Sequence, residues 1–433
     1  MTSKHGSGAG RVLRRGAPAL LAAVTIAGLA ACSSSNASTS STSSSGSDSS
    51  APAASGSASA LSTTGLSQFL PGKKATGTPV KVGLINNEGS SASASPNVGD
   101  AAVAAAQYAN DELGGIAGHP IQVIRCAEQE DTASATACAN QMVQDNVAVT
   151  VIGGVATGNT IVPIITRAGI PYVTVTGTST AELTTPDAFS WSGGYQATLS
   201  GVAAYAKQQG YKKVVAFVVS VPSAIAGANQ LGIPLFKADG VTLTIEPVPA
   251  GVPDATAEVT AGLAGSPDAS VTVTDEGSCP SVLKALNVVN PTLPRLAITT
   301  CLSNGSVQAL GSVMNGVKIF GSSSPQSSDA EGRLYRYVMA KYAPTVSASG
   351  YTVVGYQSML GLVRAVAGLR GTPTPASITA AIKAAKNVPL PAGGGISFTC
   401  NGKALPSLPS VCSLGEVMVT VQDGIGVNPQ IFR

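Results

Sequence analysis

The sequence predicts an α/β protein with two doubly wound parallel-sheet domains. Three observations support this fold class. From about residue 80, β-branched apolar runs of strand length alternate with helical patterns, and this alternation restarts after the break Ser192-Gly193-Gly194. Continuous apolar strands separated by helices are typical of a parallel sheet covered on both faces. The chain has 433 residues, of which 44% are hydrophobic and only 11% charged, and this length suits two or three domains.

The first 77 residues are predicted to be a targeting segment and a linker. Residues 1–31 have four basic residues, an apolar run too short to span a membrane, and the ending Leu29-Ala30-Ala31 before Cys32. This ending resembles a bacterial lipobox, which implies that Cys32 is lipidated, for example with palmitate, and becomes the first mature residue. An ordinary signal peptide with an incidental cysteine is the alternative. Residues 32–77 are Ser/Ala-rich and are expected to be a flexible linker.

The first domain is expected to contain four strands connected by helices. The strands are predicted at 80–85, 121–126, 147–152 and 172–176, and the helices at 99–113, 132–144 and 159–168.

The second domain repeats the same rhythm. Its strands are predicted at 213–219, 241–247, 270–274, 296–300 and 318–320, with helices at 197–209, 224–237, 255–264, 281–290 and 307–313. Helical patterns at 330–342, 352–369 and 376–385 then precede a β region at 396–427.

The composition disfavours several classes of function. Four of the 25 Lys and Arg lie in the first 32 residues, which leaves 21 against 22 Asp and Glu and no basic footprint for nucleic acid. Of the two histidines, only His119 lies in the body, and no G-x-S-x-G motif is present, so hydrolase chemistry is disfavoured. We expect no enzyme activity, no cofactor and no metal.

The six body cysteines predict disulfide bonds, as expected in an exported chain. Metal binding is the rival interpretation, but there is no C-x-x-C and the spacings fit no zinc pattern. Although fifteen pairings are formally possible, the cysteines form three close pairs. The predicted bonds are Cys126–Cys138, Cys279–Cys301 and Cys400–Cys412.

Collinear motifs give a more specific indication. They include Gly114-Gly115-Ile116, Gly169-Ile170-Pro171-Tyr172, Gly177-Thr178-Ser179 and Gly355-Tyr356-Gln357. Over about residues 79–433 the chain resembles the type I periplasmic binding fold, in the Leu/Ile/Val-binding branch of ABC-transporter solute-binding proteins. The resemblance implies a lipid-anchored, extracytoplasmic monomer at the cell membrane that captures a small ligand and delivers it to an ABC permease. A ligand sensor of the same fold, docking on a membrane receptor, is the alternative.

The resemblance also implies two lobes joined by a three-segment hinge. Lobe 1 is expected to comprise 78–192 and 324–370, and lobe 2 to comprise 195–321 and 374–433. The only tryptophan, Trp191, lies beside the first expected crossing, so its environment is expected to change when the lobes close. Permanent packing of Trp191 within lobe 1 is the alternative.

Candidate ligand contacts lie in loops that follow strands. In the family, two lobe-1 loops hold the carboxylate of an amino acid, and the corresponding positions here are Ala156, Thr157, Gly177 and Ser179, with Thr178 in the same loop. Helix capping by Thr157 or Ser179 is the structural alternative. Lobe 2 lacks the acid and tyrosines of amino-acid binders at the matching loops, leaving Asp275 and Glu276 as candidates. An amino acid or another small polar or carboxylated metabolite therefore fits.

Overall fold

The computed structural model describes residues 62–90 and 94–432, which fall in one compact unit, Ser59–Arg433. The predicted signal peptide, Cys32 and most of the predicted linker lie outside the described residues. No helix among the described residues is long and apolar enough to cross a membrane.

The first sheet has five parallel strands in the order β2-β1-β3-β4-β5. The strands are β1 (Val80–Asn87), β2 (Ile121–Glu128), β3 (Val149–Ile152), β4 (Tyr172–Thr176) and β5 (Ala188–Ser192). The connecting helices are α1 (Pro96–Glu112), α2 (Thr132–Gln144), α3 (Gly158–Arg167) and α4 (Thr180–Thr184). Strand β5 adds one strand to the four expected from the sequence.

The alanines of α1 let another helix approach closely. Most of the helix is buried, and its small side chains face α12 (Val353–Ala365). A Cβ atom on Gly355 of α12 would lie 1.8 Å from the carbonyl oxygen of Val98, so only glycine fits at this crossing.

The second sheet has seven strands in the order β14-β13-β10-β9-β8-β6-β7. Strands β6 to β10 are parallel, whereas β13 and β14 run antiparallel as a hairpin on one edge. The strands are β6 (Lys213–Val219), β7 (Thr242–Val248), β8 (Ala269–Val273), β9 (Arg295–Ile298), β10 (Lys318–Gly321), β13 (Glu416–Gln422) and β14 (Ile425–Phe432). The helices of this lobe are α5 (Gly194–Gln208), α6 (Pro222–Gly227), α7 (Ile233–Ala238), α8 (Thr256–Leu263), α9 (Cys279–Val289) and α10 (Asn304–Leu310). The predicted alternation of strands and helices is thus observed in both lobes.

Three chain segments connect the two sheets, as the resemblance implied. They follow β5, β10 and Cys412, and two of them touch: a Cβ atom on Gly193 would lie 2.8 Å from Cδ2 of Leu414. Gly194 adopts a φ of +52°, a backbone conformation that favours glycine, directly after the first crossing.

The segment between α12 and the third crossing differs from expectation. The boundary expected from the sequence assigned residues 374–412 to lobe 2. In the structure, this segment lies against α12 of lobe 1 through α13 (Pro375–Ala384) and β11 (Val388–Pro389). Strand β11 pairs with β12 (Ser397–Phe398). The segment then joins β5, because the Cys412 N–H donates to the Ser190 carbonyl at 2.9 Å. The crossing into lobe 2 therefore follows Cys412 rather than α12. Helix α11 (Ala330–Tyr342) packs against α1 and therefore also belongs to lobe 1.

Trp191 is packed within lobe 1. It is fully buried, its ring stacks on Phe398 with centroids 4.7 Å apart, and its indole N–H donates to the Ser358 carbonyl at 3.2 Å. The expectation of an indole whose exposure depends on lobe closure has no support in this packing, because both partners belong to lobe 1.

The structure contains three disulfide bonds, Cys126–Cys138, Cys279–Cys301 and Cys400–Cys412, the three pairs predicted from the sequence. The first ties β2 to α2, the second ties α9 to the segment after β9, and the third closes the loop that precedes the third crossing.

Candidate ligand-binding cleft

The loops after the parallel strands of each sheet form the candidate cleft. Ligands of open α/β sheets lie beyond the carboxyl ends of the strands, where helices begin. The two lobes contact each other there: a Cβ atom on Gly350, just before α12, would lie 3.8 Å from Cα of Ser303, which follows β9.

Glu182 organises the loop between β4 and α4. Ser179 caps α4 by accepting the Glu182 N–H, and the Glu182 carboxylate accepts the Ser179 N–H at 2.9 Å, which completes a capping box. Oε2 of Glu182 also accepts the Thr178 N–H at 3.0 Å, and Oε1 accepts the Tyr172 hydroxyl at 2.5 Å. This carboxylate is 1% exposed and belongs to a fully hydrogen-bonded network. A ligand carboxylate would have to displace it to reach either N–H group.

The loop between β3 and α3 is held by two further carboxylates. Both oxygens of Glu130 accept the Ala156 N–H, at 2.9 and 3.1 Å. The Thr157 hydroxyl donates to Oε1 of Glu128 at 3.1 Å, and the Glu130 N–H donates to Oε2 of Glu128 at 2.8 Å. Glu130 has a φ of +61°, so the backbone adopts an uncommon conformation where its side chain reaches the next loop.

Desolvation raises the pKa of Glu130, and the neighbouring Glu128 charge raises it further, whereas the hydrogen bond from Ala156 opposes these effects. Glu128 itself is fully buried, and Glu130 is half-buried. Glu130 is therefore the carboxylate of this pair that a ligand can reach.

The loop that Glu182 holds and the loop that Glu128 and Glu130 hold come together at Gly158, the first residue of α3. A Cβ atom there would lie 2.4 Å from Cδ of Glu182 and 2.6 Å from Oγ of Ser179, so the helix can start at this point only with glycine. Glu128, Glu130 and Glu182 thus surround one loop.

Tyr351 lies beside this loop. A Cβ atom on Gly154 would lie 2.8 Å from its ring and 3.0 Å from its hydroxyl oxygen. Desolvation of the hydroxyl and the negative charges of Glu182 and Glu130 raise the pKa of Tyr351 to about 12. The residue as a whole is nevertheless 54% exposed, so part of its ring is accessible to a ligand.

The five lobe-1 residues singled out in the sequence lie at one edge of the sheet. Their polar groups, however, bond to the chain itself: beside the contacts above, the Gly177 N–H donates to Oγ of Ser190 at 2.8 Å. Sequence reasoning missed Glu128 and Glu130 as members of this edge. Their place at the end of β2 could have revealed them, because neighbouring parallel strands end at the same edge.

The two candidates of lobe 2 occupy the loop between β8 and α9. The Asp275 carboxylate accepts the Ser278 N–H at 3.0 Å and the Ser278 hydroxyl at 2.7 Å, a local turn contact. Glu276 is exposed, and its Oε1 would lie 3.2 Å from a Cβ atom on Gly305 of α10. The Cys279–Cys301 disulfide fastens this loop to the loop after β9. Within the described residues, no group of three or more His, Cys, Asp or Glu side chains could hold a metal ion.

Comparison with known proteins identifies the family of the chain. The family model described as periplasmic binding protein matches residues 79–408. No curated protein sequence matches the chain.

Three of the solved structures with the same fold are 17–19% identical to this chain. A leucine-binding protein from Thermotoga maritima is 17% identical, with 82% of this chain and 98% of that chain covered and a TM-score of 0.64. A branched-chain amino acid transporter substrate-binding protein from Streptococcus pneumoniae, in complex with isoleucine, is 19% identical, with 82% and 99% covered and a TM-score of 0.64. A solute-binding protein of an ABC transporter from Rhodopseudomonas palustris, in complex with 3,4-dihydroxybenzoic acid, is 17% identical, with 81% and 97% covered and a TM-score of 0.64. The chain belongs to the periplasmic binding protein family, and it has the type I fold that these solved structures share.

Proposed function

We propose that this protein is a lipid-anchored, extracytoplasmic solute-binding protein that captures a small molecule between its lobes and delivers it to an ABC permease. The observation that carries the proposal is the family match over residues 79–408, which covers the first sheet, the five parallel strands of the second sheet and the crossings after β5 and β10. The ligand-bound relatives add support, because they hold small molecules of different chemistry, isoleucine and 3,4-dihydroxybenzoic acid.

The proposed action is binding without a chemical step. The carboxylates at the cleft are engaged as helix caps and loop supports, and His119, the only body histidine, lies in a turn where its Nδ1 contacts the Thr78 carbonyl at 2.7 Å. Binding would then be coupled to movement of the lobes about the three crossings.

Membrane anchoring at Cys32 is tested separately from ligand binding. We expect the full chain, expressed in a bacterium that processes lipoproteins, to incorporate an alkyne analogue of palmitate and to fractionate with membranes. The Cys32→Ser variant should lose both properties, while a Cys126→Ser control should retain the label. Equal labelling of the wild type and the Cys32→Ser variant would contradict lipidation at Cys32.

Delivery to a permease is tested by uptake. Deleting the gene should abolish high-affinity uptake of the ligand, and the wild-type gene should restore it. Unchanged uptake together with loss of a transcriptional response to the ligand would instead identify a sensor.

A further inference from the structure

The cleft edge of lobe 1 has a strongly negative character. Its acidic residues follow β1 and β2 or lie in α4, and lobe 2 adds others after β7 and β8. These residues are Glu88, Glu128, Glu130, Asp131 and Glu182 in lobe 1 and Asp254, Asp275 and Glu276 in lobe 2.

Basic residues are absent from the loops that follow these strands. No Lys or Arg occurs in residues 88–95, 129–131, 153–157, 177–179, 249–255, 274–278 or 299–303. Arg125 of β2 lies beside this edge, but its charge is balanced there, because it pairs with Glu88 and Asp100 at 2.8 Å each. The acidic side chains would repel a ligand carboxylate among these loops, because no Lys or Arg in the loops offsets their negative charge.

The N–H groups that would suit a ligand carboxylate are also occupied. Glu130 accepts the Ala156 N–H, and Glu182 accepts the Thr178 and Ser179 N–H groups. A ligand carboxylate would have to break these bonds and leave a displaced carboxylate without its donors, which is costly for a buried group.

We propose that the ligand is a small organic cation whose ammonium group binds between the Glu130 carboxylate and the ring of Tyr351. This assignment rests on the proposed function, because it specifies the ligand class of the same cleft. Glu130 is half-buried, Glu128 and Glu182 are buried beside the same loop, and Tyr351 presents an accessible ring there.

The chemistry of the two groups is complementary to an ammonium. A carboxylate forms short, charge-assisted hydrogen bonds with an N–H cation, and an aromatic face attracts a cation through its quadrupole. The raised pKa of Glu130 reflects desolvation and repulsion by Glu128, and a bound cation would offset both effects.

The test is a titration of the purified mature chain with probes of three charge classes at constant ionic strength. The cations are 1,4-diaminobutane, agmatine and choline, the zwitterion is L-leucine, and the anion is 3,4-dihydroxybenzoate. We expect thermal stabilisation and calorimetric binding with at least one cation, and no binding of the anion.

Two variants and one control test where the cation binds. Glu130→Gln keeps an acceptor for the Ala156 N–H and should weaken cation binding at least tenfold. Tyr351→Ala, at an exposed ring, should weaken it about two- to fivefold. Glu246→Gln, on the edge strand β7 of lobe 2, is the matched control and should bind as the wild type does.

Two results would overturn the inference, and they bear differently on the proposed function. Binding of L-leucine or 3,4-dihydroxybenzoate that Glu130→Gln leaves unchanged or strengthens would refute the cationic class but keep the solute-binding function. Absence of binding by every probe would count against both. Cation binding that is equal in the wild type and Glu130→Gln would refute the assigned position.

Discussion

Ser179 shows how a single side chain at the cleft can have a structural role. Its hydroxyl accepts the Glu182 N–H within the capping box of α4. We expect Ser179→Ala to lower the free energy of unfolding by about 1 kcal/mol, as for other lost N-caps, and to leave ligand affinity unchanged. Urea denaturation and calorimetric titration of the same preparation measure both quantities. A tenfold loss of affinity at unchanged stability would instead indicate direct contact with the ligand.

The buried carboxyl group of Glu416 should make the free energy of unfolding depend on pH. Its carboxyl is fully buried at the start of β13, where desolvation raises its pKa well above the usual range and the bond from the Thr198 hydroxyl only partly opposes this effect. Because the folded-state pKa is the higher one, the folded state holds the proton more tightly than the unfolded state. This contribution to stability is complete below the unfolded pKa of about 4.3 and is lost as the pH rises toward the folded pKa.

The neutral variant Glu416→Gln should therefore be more stable than the wild type at pH 8, and the difference should shrink toward pH 4. Chemical denaturation across this range measures it, with Glu246→Gln as a control on an edge strand. A variant that is less stable than the wild type at pH 8 would show that Glu416 is ionised and stabilised in the fold.

At the cleft, the role of a residue could be predicted only where its contact partner lies close to it in the sequence. The capping box of Ser179 and Glu182 spans four residues and is visible as a motif. The contact of Glu130 with Ala156 joins residues 26 positions apart and depends on how two loops fold together at the sheet edge. No periodicity or motif encodes such a contact. The sequence therefore predicted that a ligand carboxylate binds at N–H groups that carboxylates of the chain itself occupy.

At the scale of elements, the Cys126–Cys138 bond fastens α2 to the end of β2, close to Glu128 and Glu130. It closes a short loop, with a sequence separation of 12. We expect Cys126→Ala/Cys138→Ala to lower the free energy of unfolding by roughly 3 kcal/mol through greater freedom of the unfolded chain. Guanidinium denaturation of the wild type and the double variant measures the change. A loss below about 0.5 kcal/mol would mean that the bond constrains the unfolded state little.

Helices and strands with clear apolar periodicity were predicted at the right places, whereas β5, the strand directly before the first crossing, was missed. Residues 375–412 were assigned to the wrong side of the hinge because β11 and β12 have only two residues each. Such short strands carry no periodic signal, and the bond of Cys412 to Ser190 that places the segment is long-range.

At the scale of the whole molecule, two lobes could be expected from the repeated alternation, whereas their packing could not. The burial of Trp191 against Phe398 brings together residues from separate parts of the chain. The close approach of Gly350 and Ser303, in contrast, joins lobe 1 to lobe 2 across the cleft. This second contact is the one that ligand entry between the lobes would have to separate.

The central claim is that a ligand enters between the lobes, and a reversible lock across the cleft tests it most directly. In the double variant Ser303→Cys/Gly350→Cys, a disulfide would join the lobes where a Cβ atom on Gly350 lies 3.8 Å from Cα of Ser303. For a compound that binds the wild type, we measure association rates by stopped flow before and after mild reduction of this bond. The account predicts association at least tenfold slower in the oxidised form and recovery on reduction. Equal rates in both forms would place the ligand outside the cleft and contradict the account.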